Sequence, residues 1–303
     1  MTGCFLYLPI AMNHPRRPVY SRLSLGVLLV LARPPAFAQT DSTDEAGGFR
    51  VFWHRKPAVS LLYGFSHTSW NRLSFSVPNP GIGEVRLGGI RDDEIPVDGG
   101  ITRSRYDFLF ASNISHTLGT HLLEGDVSLD RWRAGLGHEG ALGYMLGGPG
   151  SDQMFLLIHG GGLSWSRLTV KNQGALPSDS AQLALYGDAI RFGMNTEAGL
   201  GLRLLPEFQI TLAYERDLLF PRHLAGKWLG SVVAEGAGQW VIDRIVRHIM
   251  KSAPRAGPLS AFVLKNALSI IFYQLRHRDM FFPFGSGSPL SNDSFSVGIV
   301  VAW

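Results

Sequence analysis

Apolar side chains recur at every second position in most segments from residue 58 onward, and few architectures accommodate so much period-two patterning. Phe192, Met194, Ala198, Leu200, Leu202 and Leu204 alternate with Arg191, Gly193, Asn195, Glu197, Gly199, Gly201 and Arg203. Across Leu205-Pro206-Glu207 the alternation resumes in Phe208, Ile210, Leu212 and Tyr214, the pattern of a long hairpin. The last nine residues repeat it, with Phe295, Val297, Ile299, Val301 and Trp303 in one row. The opposite face decides between architectures. A soluble sandwich turns Lys, Thr and Glu to water, whereas here that face is Gly, Ala, Ser and Asn with paired Arg, Glu and Asp. Such residues suit the crowded polar lumen of a narrow barrel.

The N-terminus carries a secretory pattern. Arg16, Arg17 and Arg22 precede an apolar run from Leu23 to Ala32, and Ala36-Phe37-Ala38 forms a small-residue cleavage site before Gln39. The run is too short to span a bilayer as a helix, which takes about 20 residues. Of 28 Lys+Arg against 24 Asp+Glu, Arg16, Arg17, Arg22 and Arg33 fall in this leader, so the remainder is formally neutral. Nucleic-acid binding thereby loses its electrostatic basis. Cys4, the only cysteine, also falls in the leader, so the exported chain is expected to hold no disulfide.

The patterning predicts an all-β fold: a closed antiparallel transmembrane β-barrel of about ten strands, within a range of 8–12. The strands fall at about 58–66, 72–78, 84–90, 103–114, 121–129, 131–146, 153–168, 186–204, 207–219 and 294–303. The expected organisation is a signal peptide over 1–38, a periplasmic leader over 39–57 and barrel strands over 58–220. A helical insertion follows over 221–290, and a closing strand over 291–303. An even strand number puts both termini in the periplasm. Ten strands also put the turns at Pro78–Gly83, His116–Thr120, Gly147–Asp152 and Leu205–Glu207 there, and the connections 91–102 and 169–185 outside.

On these features the chain resembles bacterial outer-membrane β-barrel proteins as a class. The resemblance implies an outer-membrane location, contact with outer-membrane lipid and recognition of the strand ending in Trp303 by the barrel-assembly machinery. It also implies a monomer. A soluble periplasmic β protein is the competing architecture.

Residues 225–251 and 259–278 break the pattern with helical spacing: Trp228, Val232, Trp240 and Ile245 in one segment, Phe262, Leu268, Ile271 and Leu275 in the other. Parity places this pair in an extracellular connection, to cap or plug the mouth, lie on the membrane surface or pack on a partner. A transmembrane helix is disfavoured because Lys265, Asn266 and Gln274 interrupt the only candidate.

The sharpest chemical candidate is His67-Thr68-Ser69, with Asn71 close by. His-x-Ser is similar to the dyad of outer-membrane lipid hydrolases, the phospholipase A and lipid A deacylase families. The likeness implies catalysis by His67 and Ser69 facing lipid, with Asn71 orienting the imidazole. Serine needs such an imidazole to accept its proton. Neither family's third residue is reproduced, and Trp70 stands where the deacylase motif continues with asparagine.

Other strings carry less. His159-Gly160-Gly161-Gly162 lacks a nucleophile elbow, and Gly135-x-Gly137-x-x-Gly140 precedes no helix. The histidines lack metal-ligand spacing, so no metal and no cofactor is expected. Arg131, Arg133, Glu139, Arg191, Glu197, Arg203 and Glu215 are expected to pair in the lumen. The leading function is a surface, structural or narrow small-solute role rather than a wide porin. The alternative is lipid hydrolysis.

Overall fold

The computed structural model describes residues 55–69, 80–95, 100–119, 127–147, 151–172, 185–187, 189–222 and 225–303. The segment expected to be a signal peptide and Asn71 lie outside them.

Eight antiparallel strands close into a barrel in sequence order. They are β1 (Lys56–Ser69), β2 (Gly81–Glu94), β3 (Ile101–Ser115), β4 (Val127–Met145), β5 (Met154–Asn172), β6 (Ile190–Leu205), β7 (Phe208–Leu219) and β8 (Leu290–Ala302). β8 pairs with β1 from Ala58↔Ala302 to Ser69↔Ser291, so no backbone edge is left open. Following the register once round from Val59 through Leu87, Leu109, Leu136, Leu163, Met194, Leu218 and Ser291 returns to β1 at Ser69. That stagger is what tilts the strands of a narrow barrel by roughly 35–45°.

The expected ten strands are therefore corrected to eight. The expected segments 121–129 and 131–146 contribute one strand, since β4 pairs with β5 without interruption from Val127 to Met145. The expected strand at 72–78 lies outside the described residues; β1 pairs directly with β2. Parity shifts accordingly. We call the end holding Lys56 and Ala302 proximal and the opposite end distal. Gly147–Asp152 and Leu205–Glu207 remain proximal, but Pro78–Gly83 and His116–Thr120 become distal, and the 91–102 connection becomes proximal. Proximal turns are tight: Gly100 and Gly147 adopt φ of 62° and 102°, a region that favours glycine.

The alternation maps directly onto the wall. Leu61, Tyr63, Phe65, Leu87, Leu109, Val297, Ile299 and Trp303 point outward and are exposed, while Ser60, Ser66, Glu84, Arg86, Arg133 and Ser296 point inward and are buried. Small residues make room inside. A Cβ on Gly135 or Gly137 would collide with the rings of Phe110 and Phe108, their cross-strand partners. Gly135 and Gly137 are thus packing devices, whereas at Gly140 a Cβ would meet only ordinary contacts at 3.9 Å.

The helices α1 (Ala225–Ser252) and α2 (Gly257–Arg278) do lie before the last strand, as expected. Pro254 ends α1 and Pro258 occupies the first turn of α2, where its missing N–H costs nothing. Their position corrects the expectation of a plug or cap. The pair leaves β7 at the distal end and folds back along the outside of the wall. Near the distal end Trp228 and Tyr273 pack with Leu163, Trp165, Phe192 and Met194. Midway the ring of His159 meets Asn266, Nδ1 to Oδ1 3.1 Å. Val246, Met250, Ala261 and Leu264 pack with Leu142 and Ile95 towards the proximal end. There Tyr144 donates to the Arg255 carbonyl at 2.7 Å. The helices meet through a polar seam: Ser231, Glu235, Gln239 and Asp243 recur every fourth residue, which puts them on one face of α1. Arg276, fully buried, donates to Glu235 at 2.6 Å and to Ser231 Oγ at 3.0 Å, and Lys265 pairs with Asp243 at 2.6 Å.

Candidate functional site

Two regions concentrate polar chemistry, the lumen and the outer face of the distal rim.

In the lumen, inward positions two residues apart on three strands supply opposite charges: Glu84 and Arg86 on β2, Arg131 and Arg133 on β4, Glu215 and Asp217 on β7. Arg86 donates to Glu84 at 2.6 Å and to Glu197 at 2.6 Å, and also binds Glu139. Glu84 accepts in turn from Arg133 at 2.7 Å. Arg133 also binds Glu215, and Arg131 binds Asp217 and, at 2.9 Å, Ser166. Asn195 donates to the second oxygen of Glu215 at 2.7 Å. Phe108 and Phe110 lie under the Arg86 and Arg133 guanidinium groups, at 4.6 and 5.4 Å. A continuous ladder of charge therefore crosses the lumen. Proximal to it, Ala58, Ile90, Tyr106, Val300 and Ala302 form an apolar layer. Two voids beside that layer measure about 10 Å³ each, room for one water. The expected lumenal pairing forms for Arg131, Arg133, Glu139, Glu197 and Glu215 but not for Arg191, whose Nε is buried without a hydrogen-bond partner among the described residues. Arg203 pairs separately with Asp92 at 2.7 Å.

On the outer face of the distal rim, His67 and Ser69 continue the outward row of β1 above Phe65, whose ring meets Phe295 at 5.7 Å. Register places His67 opposite Asp293 and Ser69 opposite Ser291. The two serine hydroxyls are 2.9 Å apart, and Ser291 Oγ also lies 2.9 Å from the Ser69 carbonyl. The imidazole set against this hydroxyl pair is His277 of α2, its Nε2 3.3 Å from Ser291 Oγ. His277 stacks on Tyr273, with centroids 5.9 Å apart and planes 7° from parallel. Tyr273 donates to Asp293 at 3.3 Å, and Arg216 Nε stands 4.0 Å from the same carboxylate. The Arg216 guanidinium lies 5.1 Å from the Tyr273 ring. Ser291 is buried at 2% exposure and Ser69 is half-buried, so Ser69 is the hydroxyl reachable from outside.

Of the expected trio, the structure sets Ser69 against Ser291 and places His67 on the same outward row of β1. His277 and Tyr273 reach this patch from α2, and Ser291 and Asp293 from β8. Among the described residues no group of three or more His, Cys, Asp or Glu is placed to hold a metal ion.

No protein-family model matches the chain, and no curated protein matches it in sequence. Solved structures similar to it include Neisserial surface protein A, 8% identical over 82% of this chain and 97% of that one, TM-score 0.38. Ail, the attachment invasion locus protein of Yersinia pestis, is 8% identical over 82% and 99%, TM-score 0.28. The outer membrane protein OprG from Pseudomonas aeruginosa is 10% identical over 82% and 97%, TM-score 0.26. Likeness at this level says nothing of activity.

Proposed function

We propose that this chain is a bacterial outer-membrane barrel whose lumen is closed to solutes and whose working surface is its outer wall. The observation that carries this is the filled interior: a salt-bridge ladder from Glu139 and Glu197 to Asp217, above an apolar layer. A closed sheet with an exposed apolar outer row is stable only where lipid covers that row. The reading narrows the expected surface or small-solute role to one that moves nothing through the barrel. It predicts recovery with the outer-membrane fraction and heat-modifiable migration in mild detergent. Recovery as a soluble periplasmic protein would overturn it.

A second reading, hydrolysis of lipid esters at the distal rim, is supported by the Ser69–Ser291–His277 arrangement. In it the Ser69 hydroxyl oxygen attacks an acyl carbonyl, forming a C–O bond. Its proton passes to the Ser291 oxygen as the Ser291 hydroxyl turns its own proton from the Ser69 carbonyl to His277 Nε2. The ester C–O bond breaks, the leaving alkoxide takes that proton, and water then hydrolyses the acyl-serine. His277→Ala should lower phospholipid hydrolysis in mixed micelles by about 10²–10⁴-fold, the usual worth of a general base, and Ser69→Ala, which removes the nucleophile, by about 10⁶-fold. Full activity in both variants, or none in the wild type, would eliminate this reading.

A further inference from the structure

The helical pair is built inside out for a soluble protein. Every exposed position of α1 between Leu229 and Val241 is Leu, Gly, Val, Ala or Trp, and every exposed position of α2 between Leu259 and Ile271 is Leu, Val, Ala or Ile. Polar side chains in the same spans turn inward. Ser231, Glu235 and Gln239 meet Ser269 and Arg276 in the seam, Asn266 bonds to the Phe262 carbonyl at 2.8 Å and to His159, and Lys265 pairs with Asp243. In water the stable arrangement is the reverse, with the apolar stripe in the seam and the charges outside.

Exposed charge flanks the Leu229–Val241 band of α1, with Lys227 and Arg278 on its distal side and Arg244, Arg247, Lys251 and Arg255 on its proximal side. Arg244 follows Asp243, which pairs with Lys265, so it stands level with the middle of α2. At roughly 1.5 Å per residue, Leu229–Val241 and Leu259–Ile271 each present an apolar band of about 20 Å. That approaches the ~25 Å outward band of a membrane barrel. The pair runs against the wall from Phe192 at one end to Tyr144 at the other, so its band lies alongside that of the strands. Pro254–Arg278 is long and apolar enough to cross a membrane by length and composition.

We infer that α1 and α2 form a transmembrane hairpin, embedded in the bilayer beside the barrel, with lipid acyl chains covering its exposed face and its basic turn at the proximal leaflet. The inference rests on the reading that the barrel itself sits in a bilayer. It accounts for two of the three residues that argue against a membrane helix in the sequence; the third, Gln274, is exposed three residues beyond the Leu259–Ile271 band, towards the distal end. Lys265 and Asn266 are satisfied by Asp243, the Phe262 carbonyl and His159, as backbone and side-chain polar groups in hydrocarbon must be.

The test uses single cysteines carrying nitroxide labels in full-length protein with Cys4→Ser, reconstituted into phosphatidylethanolamine–phosphatidylglycerol vesicles. Val233→Cys, Val263→Cys and Ile271→Cys report on the hairpin, Leu87→Cys and Val297→Cys on the barrel wall, and Arg255→Cys on the turn. Labels on the hairpin are expected to show the high oxygen and low nickel-chelate accessibility of those on the wall, with Arg255→Cys accessible to the chelate. Chelate accessibility at Val233 and Ile271, with the wall still protected, would overturn the hairpin inference while leaving the barrel reading intact. Chelate accessibility on the wall as well would remove the barrel reading and the inference with it. Protection from both reagents at Val233 and Ile271, with spin–spin broadening, would mean that a second copy covers the face, and would also overturn the inference.

Discussion

Replacing Arg133 with alanine is expected to cost about 3–5 kcal/mol of folding stability, the loss seen when one partner is removed from a buried charge cluster. The Arg133 side chain is fully buried and bridges Glu84 and Glu215, with Asp217 at 3.7 Å and the Ser112 hydroxyl on its Nε. Without it, Glu84 keeps only Arg86 and Glu215 only Asn195, and two buried carboxylates lose the cation that bridges them. The ladder also loses its centre, because Arg133 joins the Arg86 group to the Arg131 group. Equilibrium urea unfolding from lipid vesicles measures the loss. Arg91→Ala is the matched control: its guanidinium is mostly exposed and 2.9 Å from Asp93, so its removal should change stability by about 0–1 kcal/mol. A cost for Arg133→Ala no larger than that control would show that the ladder does not hold the barrel together.

Where the sequence was readable, it was readable for one physical reason. In a sheet the period is two whatever surrounds it, so the rows on β1, β6, β7 and β8 could be assigned inward or outward before any coordinates. The paired charges of Arg131, Arg133, Glu197 and Glu215 likewise follow from a face that lacks the residues of a solvated one. Strand number was not readable to the same degree. A weakly patterned run such as 121–129 carries nothing that separates a strand of its own from the first turn of pleat in β4, which pairs from Val127 onward.

The helices misled for a different reason. Periodicity shows that Ser231, Glu235, Gln239 and Asp243 share a stripe, and it shows that Leu229, Val233 and Trp240 share another. It does not show which stripe faces out. In water the polar one does. Beside a barrel wall with a polar seam available, the apolar one does, and Arg276 with its bonds to Glu235 and Ser231 is the residue that makes the seam possible. The rim site was half legible for a related reason. His67 and Ser69 stand two residues apart on one strand, but their partners arrive from β8, β7 and the C-terminal turn of α2. Only the closure β8·β1 and the folding back of the hairpin bring Ser291 and His277 to them. Asn71 lies outside the described residues.

The second large effect is an absence of current. Most barrels that serve solutes leave a continuous aqueous path, whereas here three arginines and five carboxylates occupy it: Arg86, Arg131 and Arg133 with Glu84, Glu139, Glu197, Glu215 and Asp217. The proximal layer of Ile90, Tyr106 and Val300 narrows the same path further, beside voids that each hold one water at most. Either barrier alone would stop hydrated ions, because side chains fill the interior of a barrel of eight strands. The measurement that bears most directly on the account is single-channel recording of the purified protein in planar lipid bilayers. A closed lumen predicts a baseline without discrete steps, at any potential the bilayer tolerates. Stable unitary conductance from the wild-type protein would contradict it.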